Sequence, residues 1–520
     1  MFCQLDQILT QTASQFPDKI GLDDNKKSFS YQQLEQEVSK LATYFLTLGL
    51  QKGSRIGIYL PKQVEAVIAT FAASRAALVF VPINPLLKPH QVSYIVQDCD
   101  IELLITSGPR ANQLNGIYKE TTSLKRLLLV DDRVKDPLDI QHELWPQQAP
   151  EQSSYAPEII DQDLAAILYT SGSTGNPKGV CLSHRNLIAG AQSVSHYLEN
   201  THQDIVLAVL PLSFDYGLSQ VTTAILSGAK VVLMEYLLPR DVIRQVEKHQ
   251  VTGLAAVPPL WFQLAQLEWP QSAKQSLRYI TNSGGAMPKA TLQNLRQQLP
   301  KTKPFLMYGL TEAFRSTYLD PSEIDRRPDS IGKAIPNAQI LICRPDGSEC
   351  EADEVGELVH RGVHVSLGYW NAPQKTASRF KPIGQHSKYL AELAVWSGDQ
   401  AKKDAQGFIY FIGRADDMIK SSGYRISPSE VEDTVFLLNG IKEVAALGVN
   451  DEQLGQAVAL IVKADDALTN EQIKKYCLKQ LPNFMQPKYI ERVEQLPRNP
   501  NGKIDRSQLK SLYQSLANQP

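Results

Sequence analysis

The sequence is poor in the features that mark several classes of protein. Its six cysteines are dispersed along 520 residues without a CxxC pair, and it has no run of about 18 apolar residues. These absences argue against a disulfide framework, a zinc site and a membrane span. The net charge of −2 predicts no broad basic surface for nucleic acid. The N-terminus lacks the charged start and apolar core of a signal peptide, so we expect a cytoplasmic protein with reduced thiols.

The chain is instead long and regularly patterned. A length of 520 residues predicts two or more domains. Strand-like apolar runs alternate with helix-like segments through the first 320 residues, as is typical of parallel α/β layers. Several of these runs end in glycine-rich or polar loops, and ligands of open α/β sheets gather at such strand ends. After Asp320 the segments become shorter and β-rich, and beyond about residue 414 they predict a compact α+β domain.

The segment LYTSGSTGNPKGV, residues 168–180, follows a buried strand-like run at 164–168. Gly172, Gly175 and Gly179 allow close approach of the backbone to a bulky anion. Hydroxyl side chains and Lys178 add donors and a positive charge. The common P-loop requires Ser or Thr after its lysine, whereas Gly179 stands here. We interpret the segment as a phosphate-binding loop, with a flexible Ser/Gly linker as the alternative.

Five motifs occur in an order that resembles one enzyme superfamily. They are Thr170–Lys178, Tyr308-Gly-Leu-Thr-Glu312, Ser397-Gly-Asp399, Gly413–Asp417 and Asn501-Gly-Lys503. Together they resemble the adenylate-forming enzymes: acyl-CoA synthetases, adenylation domains of nonribosomal peptide synthetases, and luciferases. The resemblance implies an α/β fold. It implies a large N-terminal domain, 1–413, of layered α/β subdomains plus a β-rich subdomain, and a small, mobile α+β C-terminal domain, 414–520.

The resemblance also implies the reaction and its cofactors. A carboxylate attacks the α-phosphate of ATP to give an acyl-adenylate and pyrophosphate, and a thiol then displaces AMP. ATP and Mg²⁺ are the expected cofactors, with Glu312 as the metal ligand. Lys503, Thr311 and Lys178 are the expected catalytic residues, and Asp416 the hinge. Taken singly, Tyr308 could be a core aromatic, Asp399 a turn carboxylate and Lys503 a surface lysine.

The resemblance assigns a larger set of residues to the nucleotide and a second set to the acid. The nucleotide set is Thr170, Ser171, Gly172, Ser173, Thr174, Gly175, Lys178, Ser283, Gly284, Gly285, Ala286, Met307, Tyr308, Gly309, Thr311, Asp399, Arg414 and Lys503. The acid set is Asp215, Tyr216, Ser219, Ala256, Thr281, Ser283, Met307, Arg315 and Ser316.

Asp215 suggests which acid is activated. Amino-acid-activating members of the superfamily have Phe-Asp where Phe214-Asp215 stands, and that aspartate pairs with the α-ammonium. A buried carboxylate needs such a partner, although Arg315 or backbone donors could satisfy it instead. Tyr216 would fill space just beyond Asp215, which suggests a substrate with a short side chain. The pocket resembles that of stand-alone prolyl-AMP ligases that load carrier proteins, so L-proline is the favoured substrate. Arg315 fits a purely apolar pocket poorly and leaves an acidic side chain possible.

The thiol acceptor is less clearly indicated. Leu310 and the segment 420–432 resemble acyl-CoA ligases rather than peptide-synthetase modules, and few residues follow Lys503. We expect a separate carrier protein, in natural-product biosynthesis, whose phosphopantetheine receives the aminoacyl group. Coenzyme A is the alternative acceptor, with phosphate contacts from Lys402, Lys403, Lys420 and Arg425. Two other functions remain open: an acyl-CoA synthetase for a fatty acid, and a non-catalytic adenylate-binding protein.

Overall fold

The computed structural model describes residues 2–148, 157–172, 175–383, 392–414, 418–497, 504 and 506–513, with backbone only at 171, 172, 175, 176, 413, 414, 429 and 507. In the described residues the α-helices are α1 Gln7–Gln15, α2 Tyr31–Thr47, α3 Val64–Arg75, α4 Pro89–Asp98, α5 Gly108–Gln113, α6 His184–Tyr197, α7 Asp215–Leu226, α8 Pro239–His249, α9 Pro258–Ala265, α10 Gln271–Ser276, α11 Lys289–Gln298, α12 Pro373–Arg379, α13 Pro428–Phe436, α14 Asn470–Gln480 and α15 Arg506–Tyr513.

The strands of the same residues are β1 Ile20–Asp23, β2 Ser28–Ser30, β3 Arg55–Ile58, β4 Val79–Pro82, β5 Ile101–Thr106, β6 Arg126–Leu129, β7 Gln141–Leu144, β8 Leu164–Gly172, β9 Gly175–Ser183, β10 Ile205–Ala208, β11 Lys230–Leu233, β12 Gly253–Ala256, β13 Tyr279–Asn282, β14 Lys303–Tyr308, β15 Thr317–Leu319, β16 Lys333–Ala334, β17 Ala338–Cys343, β18 Val355–Gly362, β19 Gly368–Tyr369, β20 Phe380–Pro382, β21 Leu393–Lys403, β22 Ile409–Arg414, β23 Ile419–Ser421, β24 Tyr424–Ile426, β25 Ile441–Asp451, β26 Gly455–Ala464 and β27 Tyr489–Arg492.

Two large sheets form the α/β layers of the N-terminal domain. The first runs in the order β16-β15-β14-β13-β12-β10-β11-β1-β2, and the second in the order β19-β9-β8-β4-β3-β5-β6-β7. In the first sheet β10 and β12 are parallel neighbours, although the chain goes from β10 to β11 on one side and from β12 to β13 on the other. Such a reversal of strand order opens a crevice at the carboxyl ends of the two strands.

The remaining sheets are smaller and mostly antiparallel. One has the order β17-β18-β21-β20 with β22 beside β21, and the other has the order β24-β23-β26-β25 with β27 beside β26. The last sheet has its own buried core with α13 and α14, which includes Ile426, Val435, Leu460 and Ile473. The sequence prediction of an α/β fold with a large N-terminal and a small α+β C-terminal domain is therefore confirmed. No helix in the described ranges has the length and apolar character needed to span a bilayer.

Local sequence signals explain the element boundaries near the crevice. The side chain of Ser183 accepts the Asn186 backbone N–H and begins α6 immediately after β9. Pro258 and Pro259 follow β12 and begin α9, because proline is favoured in a first helical turn. After β10 the chain begins α7 at Asp215. The expected phosphate loop continues β8 into an antiparallel hairpin with β9.

Candidate active site

The predicted site residues meet at the crevice between β10 and β12. Asp215 begins α7 just after β10, Ala256 ends β12, and Thr281 lies near the end of β13. Met307 and Tyr308 end β14, and Thr311, Glu312, Arg315 and Ser316 follow them. The parallel register of these strands brings all of their carboxyl ends to one edge of the sheet.

Glu312 is a buried carboxylate, 4% exposed, and only one of its two oxygens is engaged. The Tyr369 hydroxyl donates to Oε1 at 2.7 Å, while Oε2 has no hydrogen-bond partner in the described part of the chain. Burial raises the pKa of this carboxyl, but the charges of Arg425 and Arg379 and the Tyr369 hydroxyl outweigh burial and leave the pKa below its usual value. Glu312 is therefore ionised, with an oxygen available to a cation.

Lys178 approaches the same carboxylate from the hairpin. It pairs in register with Thr170, and its Nζ lies 5.3 Å from the centre of the Tyr369 ring. Burial lowers the pKa of Lys178, and the charge of Glu312 partly restores it. Tyr369 thus contacts a cationic and an anionic side chain, an arrangement suited to a phosphate and its counterion.

Asp399 and Tyr308 form a second polar pair. The Tyr308 hydroxyl donates to Asp399 Oδ2 at 2.5 Å, and the Asp399 backbone N–H donates to Ser397 Oγ at 3.1 Å. Asp399 is also the cross-strand neighbour of Arg414 in the β21–β22 pair. Carboxylate and phenol therefore stand together beside the end of β14, and the interpretation of Tyr308 as a purely core aromatic does not fit this polar contact.

The other predicted nucleotide residues differ in exposure. Gly284 and Ala286 are exposed after β13, Gly285 is half-buried, and Ser283 and Thr311 are buried. The Asn282 side chain donates to the Gly285 carbonyl at 2.9 Å and fixes this turn. Met307 faces the core, because its Sδ accepts the Tyr197 hydroxyl at 2.9 Å. Gly309 lies close to the Arg315 backbone.

In the acid pocket Asp215 already has a partner. Its Oδ2 lies 3.3 Å from Arg315 Nη1, and both side chains are almost fully buried. The Tyr216 ring lies beneath the guanidinium, whose central carbon is 4.6 Å from the ring centre. Burial raises the pKa of the Asp215 carboxyl although Arg315 and backbone N–H groups oppose the shift. The pairing that we weighed as the rival to an α-ammonium contact is therefore present.

Arg315 keeps two unpaired nitrogens. Its Nε and Nη2 are buried and have no hydrogen-bond partner among the described residues. The chain turns Arg315 inward through Phe314, whose φ of +53° is unusual for a bulky residue. The Phe314 ring in turn fills the space beside Gly190, where an added Cβ would lie 2.2 Å from the ring. Such local strain is found where the surrounding fold holds a functional residue in place.

The wall behind Asp215 is closed. The Tyr216 hydroxyl and Thr281 Oγ1 are 2.5 Å apart, and Trp261 Nε1 donates to the Thr281 carbonyl at 3.1 Å. Ser219 and Ala256 are buried in the same wall. Ser316 Oγ is 2.9 Å from His360 Nδ1. These contacts tie together the small and polar side chains that surround Asp215.

The small domain contributes to the site through the turn between β23 and β24. At Gly423, with φ of +82°, an added Cβ would lie 2.6 Å from Val257 Cγ1. Gln91 Nε2 donates to Glu430 Oε1 at 3.3 Å across the same interface. Sequence reasoning missed the contributions of Tyr369 and Arg379, and it assigned Arg425 only to an acceptor. Tyr369 follows a Gly in the short strand β19, a weak signal without a recognisable motif.

Four predicted residues lie outside the described ranges: Ser173, Thr174, Asp416 and Lys503. The side chains of Ser171 and Arg414 and the surroundings of Gly172 and Gly175 are likewise not described beyond their strand positions. Their roles stay predictions.

Comparison with known proteins places this geometry in a family. The AMP-binding enzyme family matches residues 9–370, and the AMP-binding enzyme C-terminal domain matches residues 430–503. The chain belongs to the AMP-binding enzyme family. It is an AMP-forming ligase, and ATP and Mg²⁺ are the cofactors of this reaction.

Relatives of this chain include a fatty-acid–CoA ligase and a bacitracin synthase. The long-chain-fatty-acid–CoA ligase of Salmonella typhimurium is 29% identical over 544 residues, which cover 97% of this chain and 93% of that protein. Bacitracin synthase 3 of Bacillus licheniformis is 27% identical over 505 residues, 97% of this chain but 8% of that protein.

Solved structures of one synthetase resemble this chain to different degrees. The o-succinylbenzoate CoA synthetase of Bacillus subtilis, as a double mutant bound to its product analogue OSB-NCoA, gives a TM-score of 0.83 at 26% identity, with coverage of 97% of this chain and 98% of that one. The same synthetase in complex with AMP gives a TM-score of 0.69 at 26% identity and the same coverage.

The described residues fit the two cofactors. Oε2 of Glu312 is an ionised, unpartnered hard oxygen, which suits Mg²⁺. No cluster of three or more His, Cys, Asp or Glu side chains that could hold a metal ion occurs in the described ranges. Mg²⁺ neutralises phosphate charge in reactions of this kind.

Proposed function

We propose that this ligase adenylates a small amino acid and transfers the aminoacyl group to the phosphopantetheine thiol of a separate carrier protein. The amino acid carboxylate would attack the α-phosphate of ATP, with release of pyrophosphate. The thiol would then attack the carbonyl carbon, and AMP would leave with the bridging oxygen. L-Proline is the substrate that the sequence favours, and the reaction would belong to natural-product biosynthesis in the cytoplasm.

The position of Asp215 carries the proposal. It is a buried carboxylate in the first turn of α7, at the edge of the crevice between β10 and β12. A carboxylate has about four acceptor sites, so the single contact with Arg315 and the backbone N–H groups leave capacity for an ammonium group. The closed wall formed by Tyr216 and Thr281 supports a short substrate.

The interactions of four cationic side chains favour a carrier protein over coenzyme A as the thiol acceptor. Lys402 pairs with Asp353 at 3.4 Å, and Lys403 pairs with Glu349 at 2.7 Å. Lys420 Nζ lies 4.6 Å from the Phe411 ring centre, while the charge of Arg425 acts on Glu312. Each cation that we assigned to the phosphates of coenzyme A therefore has another interaction. A carrier brings its thiol on a flexible arm and needs a small docking area.

We also propose that the domains 1–413 and 414–520 are arranged here for thiol transfer. The Gly423 turn against Val257 and the higher similarity to the OSB-NCoA complex than to the AMP complex of one synthetase support this arrangement. For adenylation the small domain would turn about Asp416 and bring Lys503 to the reacting carboxylate, where a positive charge stabilises the transition state. Glu312 would hold Mg²⁺, and Asp399 the ribose.

A panel of acids tests the proposal. The protein is incubated with ATP, Mg²⁺, each amino acid or decanoate, and either a holo carrier or coenzyme A, and the thioesters are identified by mass spectrometry. We expect an aminoacyl carrier to form far faster than an aminoacyl-CoA, and Asp215→Asn to remove amino-acid activation. Dominant decanoyl-CoA would contradict the proposal.

That outcome would support the second candidate, a fatty acyl-CoA synthetase. The observation in its favour is the identity of 29% with the Salmonella ligase along nearly the whole chain.

A further inference from the structure

The unpaired edge of Arg315 bears on the substrate of the proposed function. Arg315 is 2% exposed, and its Nη1 contacts Asp215 Oδ2 and the Phe314 carbonyl. Nε and Nη2, which carry no partner in the described ranges, are on one edge of the planar guanidinium. The N–H bonds of that edge are parallel and match the two oxygens of a carboxylate.

Buried guanidinium groups are seldom left half-satisfied, because each unpaired N–H has lost its hydration without compensation. The Tyr216 ring occupies one face of the guanidinium, and the partnered nitrogen Nη1 is held by Asp215. The positive φ of the bulky residue Phe314 turns Arg315 inward, so that its unpartnered Nε–Nη2 edge lies in the described structure beside Asp215. A group that accepts two hydrogen bonds would complete it.

Charge balance narrows the class of ligand. Asp215 and Arg315 together are neutral. The α-carboxylate of a bound amino acid faces ATP, so an apolar side chain would leave the α-ammonium beside this neutral pair without a counter-charge from the pocket itself. A second carboxylate on the side chain restores neutrality, with the ammonium near Asp215 and the carboxylate on Arg315. A dicarboxylic acid without an amine would leave one excess negative charge.

We propose that the substrate is an acidic amino acid whose side-chain carboxylate binds the Nε–Nη2 edge of Arg315. This inference rests on the proposed function and puts an acidic side chain in the place of L-proline. Arg315 then acts as the specificity-determining residue of the pocket, while Asp215 remains the contact for the α-ammonium.

Matched substrates test the inference through kcat/KM for ATP–pyrophosphate exchange. L-Glutamate and L-glutamine, and likewise L-aspartate and L-asparagine, have the same shape and differ in the charge of the side chain. We expect the acid to exceed its amide by about 10- to 100-fold, the range for bidentate hydrogen bonds to a charged group. L-Proline is measured beside them and is expected to react more slowly than the preferred acid.

The variant Arg315→Lys keeps the positive charge beside Asp215 but loses the two-nitrogen edge. We expect the ratio of kcat/KM for the acid to kcat/KM for its amide to fall towards one in this variant, whatever the change in the overall rate of exchange. Arg278→Lys is the matched control, because Arg278 pairs with Asp204 at 3.0 Å before β13, away from the pocket. Thermal unfolding of both variants shows that each is folded.

Four outcomes would overturn the inference. Equal rates for acid and amide, or a preference for L-proline, would show that the enzyme does not recognise a side-chain carboxylate. The proposed activation of an amino acid would be unaffected by either result. An undiminished preference in Arg315→Lys would assign the recognition to another residue. If none of the amino acids supported ATP–pyrophosphate exchange, the proposed function and the inference would both be overturned.

Discussion

Glu312 and Asp215 are both carboxylates with 4% exposure, and the chain uses them differently. The charges of Arg425 and Arg379 and the Tyr369 hydroxyl lower the pKa of Glu312, and its Oε2 has no hydrogen-bond partner within the described ranges. Asp215 contacts an arginine directly, yet burial still raises its pKa. The nucleotide region thus keeps an ionised oxygen for a ligand, whereas the acid pocket neutralises its carboxylate internally and leaves the donor edge of Arg315 unpaired.

This contrast shows that burial alone does not reveal the task of a carboxylate. The unpaired atom does: an acceptor at Glu312 points to a cation, and donors at Arg315 point to an anion. Four changes would break or sharpen the contrast.

The largest effect is expected from Arg315→Met, which leaves Asp215 buried without its partner. Removal of one member of a buried pair costs about 3–5 kcal/mol of the free energy of unfolding. Urea denaturation measures this loss. The double variant Asp215→Asn with Arg315→Met removes both charges and should recover most of the stability. A single variant as stable as the wild type would mean that the pair is not buried as described.

In the nucleotide region, Glu312→Gln should leave the fold intact because glutamine still accepts the Tyr369 hydroxyl. Loss of the charge should reduce pyrophosphate exchange by about 10²–10³-fold, as for the loss of one group that stabilises developing charge. Exchange is measured across a series of Mg²⁺ concentrations. The exposed Glu268 supplies the control Glu268→Gln. Equal activity of both variants would exclude Glu312 from metal binding.

Gly423→Ala separates the two half-reactions. Its Cβ would press against Val257, so the small domain would shift, and a displacement of about 1 Å can reduce a rate about 10²-fold. Thiol transfer should fall by that factor while pyrophosphate exchange is preserved. Gly455→Ala is the control, since Gly455 has φ of +79° but its nearest atom, the Lys420 carbonyl oxygen, is 3.5 Å from the added Cβ. Equal loss in both variants would attribute the effect to backbone strain.

A third carboxylate, the half-buried Glu430, gives the smallest effect. Burial raises the pKa of Glu430 to about 7, Gln91 opposes the shift, and the charge of Asp433 adds to it. The charge of Glu430 also contributes to the raised pKa of Tyr94, which lies on α4, the helix that carries Gln91. Because the docked carboxyl holds its proton more tightly than a free one, docking is most favourable below pH about 4.5, weakens as pH rises through about 7, and then levels off.

The rate of thiol transfer relative to exchange should therefore fall about tenfold between pH 6 and 8 in the wild type. Glu430→Gln lacks this titration, so its ratio of thiol transfer to exchange should change less with pH. Comparison of the two proteins also corrects for ionisation of the attacking thiol, which affects both. Identical profiles of the two proteins would remove Glu430 from the pH dependence of docking.

The sequence predicted what short motifs and strand ends encode. The ends of β10, β12, β13 and β14 brought the expected residues to one edge of the sheet, because parallel strands share the direction of their carboxyl ends. Contacts between distant segments were not predictable. Tyr369 reaches Glu312 across 57 positions, and the Gly423 turn meets Val257 only through the packing of the small domain. The pairing of Asp215 with Arg315 was one of two alternatives, and the charge pattern alone could not choose between them.

Oxygen tracing tests the central claim most directly. The wild-type protein is given ATP, Mg²⁺, holo carrier and an amino acid labelled with ¹⁸O in its α-carboxylate, and the AMP is analysed by mass spectrometry. If the carboxylate attacks the α-phosphate and the thiol then displaces AMP, each AMP formed carries one heavy oxygen from the amino acid. AMP without the label, or label transfer from decanoate but from no amino acid, would contradict the account.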